Sequence, residues 1–480
     1  MIYDLIQTIV NYGQLNDQIN LCRLDATMYD QVYIYSIAMD SRNTYMLLNQ
    51  KILEQKKFSR LKVLFCCNNK EICNVNHLKD SLEELYCRSG NVDQYGISEL
   101  SRLRILDFNR INKIFDVNHL GNYLEELYCE QSCVDQNGIS GLKMLRVLDC
   151  YGCKNINNVN HLSETLKVLR CGSECGINQV GISRLKKLEE LNCVYNDKIF
   201  DVNHLSDTLK ILDCGGSDNE INQNGIMELS KLESINFYDN IKIKDLNHLS
   251  KTLKKVNCGS IDLYYNGISN NGIKNLTNLE WFSCYPCNNI TKLPSNKLKH
   301  LTCGHGISQR EINGQHNIEE LDCSHNLNIT NLKHLKKKLK SLKCRGNTGI
   351  NQNSIAELCN LEELDCSDNP KIHDVNHLSN SLKKLTCFND CGISQKGISN
   401  LYHLKTLICA GNNKIYSVNH MKDALETLEC YGNCGINQDG ISELKKIKKL
   451  FCVGNKKITN VSHLAGTLVL LICICNGKSV

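Results

Sequence analysis

The sequence predicts an α/β repeat solenoid in which about 20 short rungs share one parallel sheet, behind a short helical amino-terminal cap. Three observations predict this fold class. The motif Leu/Ile-x-x-Leu-x-Cys recurs from Leu61 to Cys473, its copies lie 21 or 22 residues apart with few exceptions, and the rungs alternate between two types. A period of roughly 20 to 29 residues is typical of solenoids, whose rungs bury their apolar faces against their neighbours.

The motif itself predicts which side chains are buried. We number its six positions from the first Leu or Ile of each rung. Because a strand turns successive side chains to opposite faces, positions 4 and 6 face the core, and position 5 faces outward along a concave sheet. One rung buries too few apolar side chains to fold alone, so stability must come from stacking.

The two rung types differ in the return leg that follows the strand. One type carries Asn-His-Leu, as in Asn76-His77-Leu78, and the other carries Gly-Ile-Ser, as in Gly96-Ile97-Ser98. We expect the glycine to serve a turn of the chain. A catalytic or metal-binding histidine occurs once in a site, so we expect the repeated histidines to satisfy backbone groups in every second rung.

The segment Leu361-Glu-Glu-Leu364-Asp-Cys366-Ser-Asp-Asn369-Pro-Lys-Ile372 resembles a leucine-rich repeat of the short kind, and the resemblance covers residues 61 to 475. It implies a curved horseshoe whose rungs each have a parallel strand on the concave face, a turn of asparagine or cysteine, and an extended or helical return. The resemblance places these residues on the asparagine turn: Asn69, Asn196, Asn240, Asn326, Asn347, Asn369, Asn412, Asn433 and Asn455.

Residues 1–60 lack the repeat and precede the solenoid of residues 61–480. Apolar residues at helical spacing predict short helices, whose minimal role is to cap the first rung. The segment also resembles a degenerate F-box, a helical motif that docks on the Skp1-type adaptor of cullin ubiquitin ligases. A plain cap and an F-box-like segment both remain open. The F-box resemblance implies adaptor contacts at Leu5, Ile6, Ile9, Val10, Ile19 and Leu21.

Most of the 29 cysteines occupy position 6, where Phe108 and Phe237 replace cysteine in two rungs. This exchange indicates that the position packs the core as a small apolar group. Cys150-x-x-Cys153 and Cys284-x-x-Cys287 have zinc-ligand spacing, but both pairs fall on position 6 and the turn of an ordinary rung. We therefore expect neither a metal ion nor another cofactor.

Composition and motifs exclude several function classes. The net charge of +5 is small and dispersed, which predicts no nucleic-acid or membrane partner. The longest apolar run, Leu468 to Cys475, is far shorter than the roughly 20 residues of a membrane helix. No basic leader precedes Asp4, which predicts a cytoplasmic protein in a reducing environment. The sequence has no Walker loop, HExxH or Gly-x-Ser-x-Gly, so we expect no enzyme.

We expect instead a scaffold that binds a protein partner on its concave face, or alternatively an F-box-like substrate receptor of a cullin-type ubiquitin ligase. Exposed aromatic side chains are preferred anchors of interfaces. Local packing of these aromatics on neighbouring rungs is the alternative, and both remain open. The candidate contacts are Phe65, Tyr86 and Tyr128 near the first rungs, Trp281 and Tyr285 beside an irregular rung, and Phe451 near the last.

Positions 2 and 3 show a further pattern, since acids such as Glu189, Glu319 and Glu362 alternate from rung to rung with bases such as Lys210 and Lys340. This alternation predicts ion pairs between neighbouring strands.

Two features concern assembly and origin. The apolar run that begins at Leu468 predicts weak self-association through the last rung. Abundant Asn, Lys and Ile, with only three prolines, resemble the repeat proteins of amoebae and of the large DNA viruses that infect them. A viral origin would imply a partner in the host cytoplasm.

Overall fold

The computed structural model describes residues 33–37, 48–260, 267–472, 474–475 and 478–479. The chain divides into two compact units, Met1–Lys242 and Ile243–Val480. Each unit is a run of short parallel strands that are joined by return legs. The predicted α/β repeat fold with a parallel sheet is therefore confirmed.

The first unit has one strand in each rung. Its strands are β1 (Ser36–Ile37), β2 (Val63–Phe65), β3 (Glu84–Tyr86), β4 (Ile105–Asp107), β5 (Glu126–Tyr128), β6 (Val147–Asp149), β7 (Val168–Arg170), β8 (Glu190–Asn192), β9 (Ile211–Asp213) and β10 (Ser234–Asn236). They pair in chain order, each parallel to the next. Strands β2 to β10 span positions 3 to 5, and equal positions face each other.

The second unit repeats this arrangement. Its strands are β11 (Lys255–Asn257), β12 (Trp281–Ser283), β13 (His300–Thr302), β14 (Glu320–Asp322), β15 (Ser341–Lys343), β16 (Glu363–Asp365), β17 (Lys384–Thr386), β18 (Thr406–Ile408), β19 (Thr427–Glu429), β20 (Lys449–Phe451) and β21 (Leu470–Ile472). These also pair in parallel and in chain order. Beyond them, β22 (Ile474–Cys475) and β23 (Lys478–Ser479) form an antiparallel pair.

The return legs contain only short helices. The α-helices of the described residues are α1 (Gln50–Leu53), α2 (Gln94–Ile97), α3 (Gln136–Ile139), α4 (Gln179–Ile182), α5 (Asn270–Ile273), α6 (Gln309–Asn313) and α7 (Gln352–Ile355). The 3-10 helices are Lys56–Phe58, Asn76–Leu78, Asn118–Leu120, Asn160–Leu162, Asn203–Leu205, Asn224–Ile226, Asn247–Leu249, Lys333–Leu335, Asn376–Leu378, Lys396–Ile398, Asn419–Met421, Asp439–Ile441 and Ser462–Leu464. None of these described helices has the length and apolarity needed to cross a membrane.

The core is built from positions 1, 4 and 6 of each rung. In one rung, Leu145, Leu148 and Cys150 are all fully buried. Within the described residues every position-6 cysteine is buried, and Phe108 and Phe237 fill the same place. Burial contributes about 1.5 to 3 kcal/mol for a large apolar side chain, and neighbouring rungs supply it. The prediction that position 6 packs the core is confirmed.

Cysteines at the turns pack against those of position 6. The Sγ atoms of Cys150 and Cys175 lie 3.7 Å apart in neighbouring rungs. The Cys153 thiol donates to the Cys129 carbonyl oxygen at 3.0 Å, and the Cys287 thiol likewise donates to the preceding rung. The second cysteine of each Cys-x-x-Cys pair therefore serves contact between rungs. Among the described residues, no group of three or more His, Cys, Asp or Glu could hold a metal ion.

The glycine of the Gly-Ile-Ser rungs is required by close contact between rungs. Gly138 lies within α3 and is not among the glycines with a positive φ. A Cβ atom added there would lie 2.0 Å from the Phe115 carbonyl oxygen of the preceding rung, and one at Gly181 would lie 2.1 Å from the Asn157 carbonyl oxygen. The expectation that this glycine serves a turn was therefore wrong, because it is the missing side chain that lets two return legs approach.

A ladder of buried asparagines satisfies the backbone at the turns. The Asn196 amide donates to the carbonyl oxygens of Cys171 and Ile177, and its side-chain oxygen accepts from the N–H groups of Lys198 and Ile199. The same pattern, with small variations, recurs at Asn69, Asn240, Asn326, Asn369, Asn412 and Asn455.

Two of the asparagines assigned to this ladder do not belong to it. Asn347 and Asn433 are exposed, and the next residues, Thr348 and Cys434, are buried in their place. The Thr348 hydroxyl donates to the Asn326 carbonyl oxygen at 3.0 Å. The second rung type therefore places its turn residue one position later than the first.

The histidines of the Asn-His-Leu rungs connect each rung to the one before it. The Nε2 atom of His119 lies 2.9 Å from the Ile97 carbonyl oxygen, and that of His204 lies 3.0 Å from the Ile182 carbonyl oxygen. Since a carbonyl oxygen only accepts, Nε2 must carry the proton. Equivalent contacts occur at His77, His161, His334, His377, His420 and His463. The predicted role in satisfying backbone groups is confirmed.

These histidines predict a loss of stability in mild acid. Burial lowers the pKa of His77, His161, His204 and His420 in the folded chain. The unfolded chain then binds more protons below its ordinary histidine pKa of about 6.5. The contribution of these neutral histidines to the free energy of unfolding is therefore complete above about pH 6.5, and it is lost as the pH falls below that value. We expect the melting temperature to drop between neutral pH and mild acid.

The matched variants for this prediction are His161→Gln and His373→Gln. The His161 Nε2 atom is bonded to the Ile139 carbonyl oxygen, whereas the exposed His373 side chain has no hydrogen bond in the described part of the chain. Calorimetry over a pH series should show a shallower pH dependence for His161→Gln and an unchanged one for His373→Gln. An unchanged slope in both variants would contradict the assignment.

The described part of the amino-terminal segment closes the first rung. Ile34, Leu48, Leu53 and Phe58 are buried, and β1 pairs in parallel with β2. The segment therefore supplies a strand as well as the predicted helices. The candidate adaptor contacts Leu5, Ile6, Ile9, Val10, Ile19 and Leu21 lie outside the described residues. The F-box-like interpretation and its Skp1-type partner stay predictions.

The last complete strand, β21, has an incompletely buried core side. Leu468 at position 1 and Leu471 at position 4 are half-buried, whereas position 4 is buried in the other rungs. Self-association through this rung stays a prediction.

Candidate functional site

Positions 3 and 5 of each strand form the open face of the sheet, which lies opposite the core. In β3, for example, Glu84 and Tyr86 are half-buried on this face while Leu85 between them is buried. This follows from the alternation of side chains along a strand. Position 5 faces outward as predicted.

The open face of β3 to β6 repeats every second rung. We call these eight side chains the tyrosine-acid face: Glu84, Tyr86, Ile105, Asp107, Glu126, Tyr128, Val147 and Asp149. In two strands a glutamate precedes a tyrosine, and in the two others an aliphatic residue precedes an aspartate. Apolar and acidic groups therefore alternate along each strand and also from one strand to the next.

The tyrosines of this face are held in place by their own strands. The hydroxyl of Tyr86 donates to Glu84 Oε2 at 3.1 Å, and that of Tyr128 donates to Glu126 Oε2 at 2.8 Å. Burial, assisted by Glu84, raises the pKa of Tyr86 to about 12. The ring of Phe65 in β2 stacks on Tyr86 with centroids 4.0 Å apart. The structure thus brings together Phe65 and Tyr86, with Tyr128 two strands further along.

The aspartates of the same face are partly removed from water. Asp107 is 7% exposed, accepts from the Asn109 N–H at 3.1 Å, and lies 3.5 Å from Arg88. Burial raises the pKa of Asp107 and Asp149. Electrostatic interactions of such half-buried carboxylates are screened less than those of fully exposed ones.

Position 2 forms a separate charge ladder along the start of the strands. Ion pairs of 2.5 to 3.5 Å join side chains of neighbouring rungs, such as Lys62 with Glu83 and Lys340 with Glu319. Lys167 and Lys210 flank Glu189 and lower its pKa to about 2. The predicted pairing between strands is confirmed. Because the pairs are exposed, each contributes little stability, and the ladder mainly opposes a slip of register.

Trp281 lies at position 3 of β12, between Lys255 and His300 on the neighbouring strands. The Lys255 Nζ atom sits 4.6 Å from the ring centroid, a distance at which an ammonium is attracted to an indole. Trp281 and the nearby Tyr285 are both half-buried. This contact is the local packing that the alternative interpretation describes, although part of the rings stays accessible. Residues 261–266 of the preceding insertion lie outside the described residues.

Phe451 lies at position 5 of β20, opposite Glu429 and Ile472. It is half-buried on the open face. Seven strands of the same unit separate β20 from β12. The structure therefore does not bring Phe451 and Trp281 into one site.

The second unit also contains a depression that the sequence did not reveal. It has a volume of about 290 Å³ and lies over β15 to β19. Arg345 at its side forms an ion pair with the buried Asp365 and lies near the Phe388 ring. Arg345 and Phe388 follow the position-6 cysteine directly, at a place the six-position motif does not cover. A seventh motif position, directly after the cysteine, would include both residues.

Comparison with known proteins supports the fold. A scan of protein-family models and a search of curated proteins find no match to this chain. Among solved structures, TLR13 in the TLR13-ssRNA13 complex is similar with a TM-score of 0.53 and 16% identity, over 94% of this chain and 77% of that chain.

Two further matches are proteins of Listeria monocytogenes. The internalin InlF has a TM-score of 0.32 and 20% identity, over 74% of this chain and 88% of that chain. The functional domain of InlJ, which includes a cysteine ladder, has a TM-score of 0.36 and 18% identity, over 79% and 75%. At such identities a likeness concerns the fold alone. Together with the strand, turn and return leg of every described rung, the TLR13 match shows that this chain has the leucine-rich repeat fold.

Proposed function

We propose that the chain is a non-catalytic scaffold that binds a protein partner on the open face of its parallel sheet. The observation that supports this proposal most is the tyrosine-acid face, which is continued by Phe65 in β2. Its aromatic and aliphatic side chains sit on regular strands, and the two tyrosine hydroxyls are already bonded. A partner would meet rigid rings that lose little conformational freedom on binding, which favours affinity.

The repeat architecture supports the same function. Each strand adds one row of side chains at a spacing of about 4.8 Å, so the open face is broad and extends over many rungs. A small molecule is usually enclosed in a concave apolar pocket, whereas a wide face of half-buried side chains suits a macromolecule. The fold match to TLR13 agrees with a binding scaffold.

The test is affinity capture from the natural source with the full chain and two variants. The double substitution Tyr86→Ala and Tyr128→Ala removes both rings of the tyrosine-acid face. Phe115→Ala is the control, because Phe115 is 57% exposed on a return leg. One interface anchor contributes at least about 2 kcal/mol, which is about thirtyfold in affinity, so we expect the double variant to bind the captured protein at least about thirtyfold more weakly.

Circular dichroism and the melting temperature should show that both variants remain folded. Equal recovery of the captured protein by the double variant and by Phe115→Ala would contradict binding on this face.

A further inference from the structure

The charge of the tyrosine-acid face differs in sign from that of the whole chain. The chain carries a formal net charge of +5, yet the face presents four carboxylates and no basic side chain of its own. Three of these carboxylates have cations nearby: Arg104 lies 3.8 Å from Glu84, Arg88 lies beside Asp107, and Arg170 of β7 stands opposite Asp149. A partner that covers the face must offset the remaining negative charge.

Glu126 and Asp149 form no ion pair of their own in the described part of the chain, because Arg170, which faces Asp149, pairs with Glu190 instead. Glu126 accepts the Tyr128 hydroxyl, and Asp149 accepts the Tyr151 N–H at 3.3 Å. Each carboxylate keeps a free acceptor site after these bonds. The face can therefore accept charge-assisted hydrogen bonds from outside.

The apolar half of the face suits the stems of basic side chains. Ile105 and Val147 lie beside the carboxylates at position 3, and the Tyr86 and Tyr128 rings lie at position 5. Lysine and arginine place their methylene stems on apolar surface while the charged head reaches a polar group. A guanidinium is also attracted to a tyrosine ring.

The spacing of the face limits the conformation of the partner. Equivalent groups recur every second strand, as Glu84 and Glu126 do at position 3 and Asp107 and Asp149 do at position 5. Two strand spacings are about 9.6 Å. A polyproline II segment brings every third residue to the same side after about 9.3 Å. In a fully extended strand the corresponding repeat is every second residue, after about 6.8 Å, which does not match.

We propose that the tyrosine-acid face binds a basic, proline-rich segment of a partner protein, in polyproline II conformation, with Arg or Lys at every third residue. The segment runs across β3 to β6. Its basic heads pair with the carboxylates at positions 3 and 5, and their stems pack on the aliphatic and tyrosine side chains. This inference rests on the proposed function, since it names the chemistry of the partner for the same face.

The test uses the full chain and two labelled peptides of equal composition, measured by fluorescence anisotropy. One peptide repeats Arg-Pro-Ser, so that arginine occurs at every third residue, and the other has its arginines in one block. We expect the regularly spaced peptide to bind at least about tenfold more tightly at about 50 mM salt. Raising the salt to about 200 mM should weaken it, because charge pairing supplies part of the affinity.

Matched variants locate the binding. Glu126→Gln with Asp149→Asn removes the two carboxylates that lack ion pairs, while each new side chain keeps an oxygen acceptor. Glu99→Gln with Glu174→Gln removes the same charge from exposed glutamates away from the face, which pair with Lys79 and Lys154. We expect about tenfold weaker binding for the first pair and little change for the second. Equal affinity for both peptides, or equal losses in both variants, would overturn the proposal.

Failure of this proposal can be distinguished from failure of the proposed function. If Tyr86→Ala with Tyr128→Ala loses the captured protein but neither peptide binds, the basic segment is wrong and the binding face stands. If capture is unaffected by the tyrosine substitutions, the proposed function itself fails.

Discussion

Replacing Asn369 with alanine is expected to lower the free energy of unfolding by about 4 kcal/mol. Asn369 is fully buried, and its amide donates to the carbonyl oxygens of Cys344 and Ile350 at 3.2 Å. Its side-chain oxygen accepts from the Lys371 N–H at 3.1 Å. Alanine leaves these backbone groups without that partner, and a buried unsatisfied group costs about 1 to 3 kcal/mol.

Asn347→Ala in the neighbouring rung is the matched control. Asn347 is exposed, and in the described part of the chain its side chain has no hydrogen bond. Its substitution should change stability by no more than about 0.5 kcal/mol. Urea denaturation followed by circular dichroism measures both variants, and hydrogen exchange reports whether the loss is centred on β15 and β16. Equal midpoints for the two variants would show that the asparagine ladder contributes no special stability.

Gly138→Ala is expected to destabilise the chain by about 3 kcal/mol, although alanine is normally the better helix former. The added Cβ would meet the Phe115 carbonyl oxygen at 2.0 Å, a backbone atom that cannot move without shifting its rung. Any shift also strains the hydrogen bond from the Val117 N–H to the Gly138 carbonyl oxygen, now 2.9 Å long.

The control for this variant is Gly466→Ala. No atom lies within 4 Å of a Cβ added to Gly466, and this glycine is not among those with a positive φ. Its substitution should be neutral or stabilise the chain by about 0.5 kcal/mol. Thermal unfolding distinguishes the two, and a Gly138→Ala protein as stable as the wild type would contradict the close-contact explanation. A serine does occupy the equivalent place in one rung, where the Ser354 hydroxyl donates to the Thr330 carbonyl oxygen at 2.6 Å.

The fold could be predicted from the sequence because its determinants are local and repeated. Leu148 and Cys150 are buried as strand alternation dictates, and the rungs of β2 to β20 repeat that pattern. The charge ladder was predictable for the same reason, since Lys340 and Glu319 occupy equal positions of neighbouring rungs.

What the sequence could not reveal depends on distances between rungs. Gly138 looked like a turn residue because its contact with Phe115 joins residues far apart in the chain. Asn347 and Asn433 were assigned to the ladder because the motif does not show that the turn shifts by one residue in the second rung type.

The candidate site was predictable only in part. Phe65, Tyr86 and Tyr128 lie on the open face as position 5 requires, but their stacking and hydroxyl bonds depend on side-chain conformations. Trp281 was predictable as a candidate because it lies beside an irregular rung, but its contact with Lys255 follows from strand register. The assignment of these residues to a partner stays a prediction.

The ladder of alternating charges at position 2 has a consequence for how such a gene can lengthen or shorten. Loss of the single rung that contains Glu319 would bring Lys299 beside Lys340, and two adjacent lysines would replace the ion pair between Lys340 and Glu319. Loss of two consecutive rungs would keep acid beside base. Duplications and deletions that preserve the charge ladder should therefore occur in pairs of rungs, so that the doublet is the heritable unit.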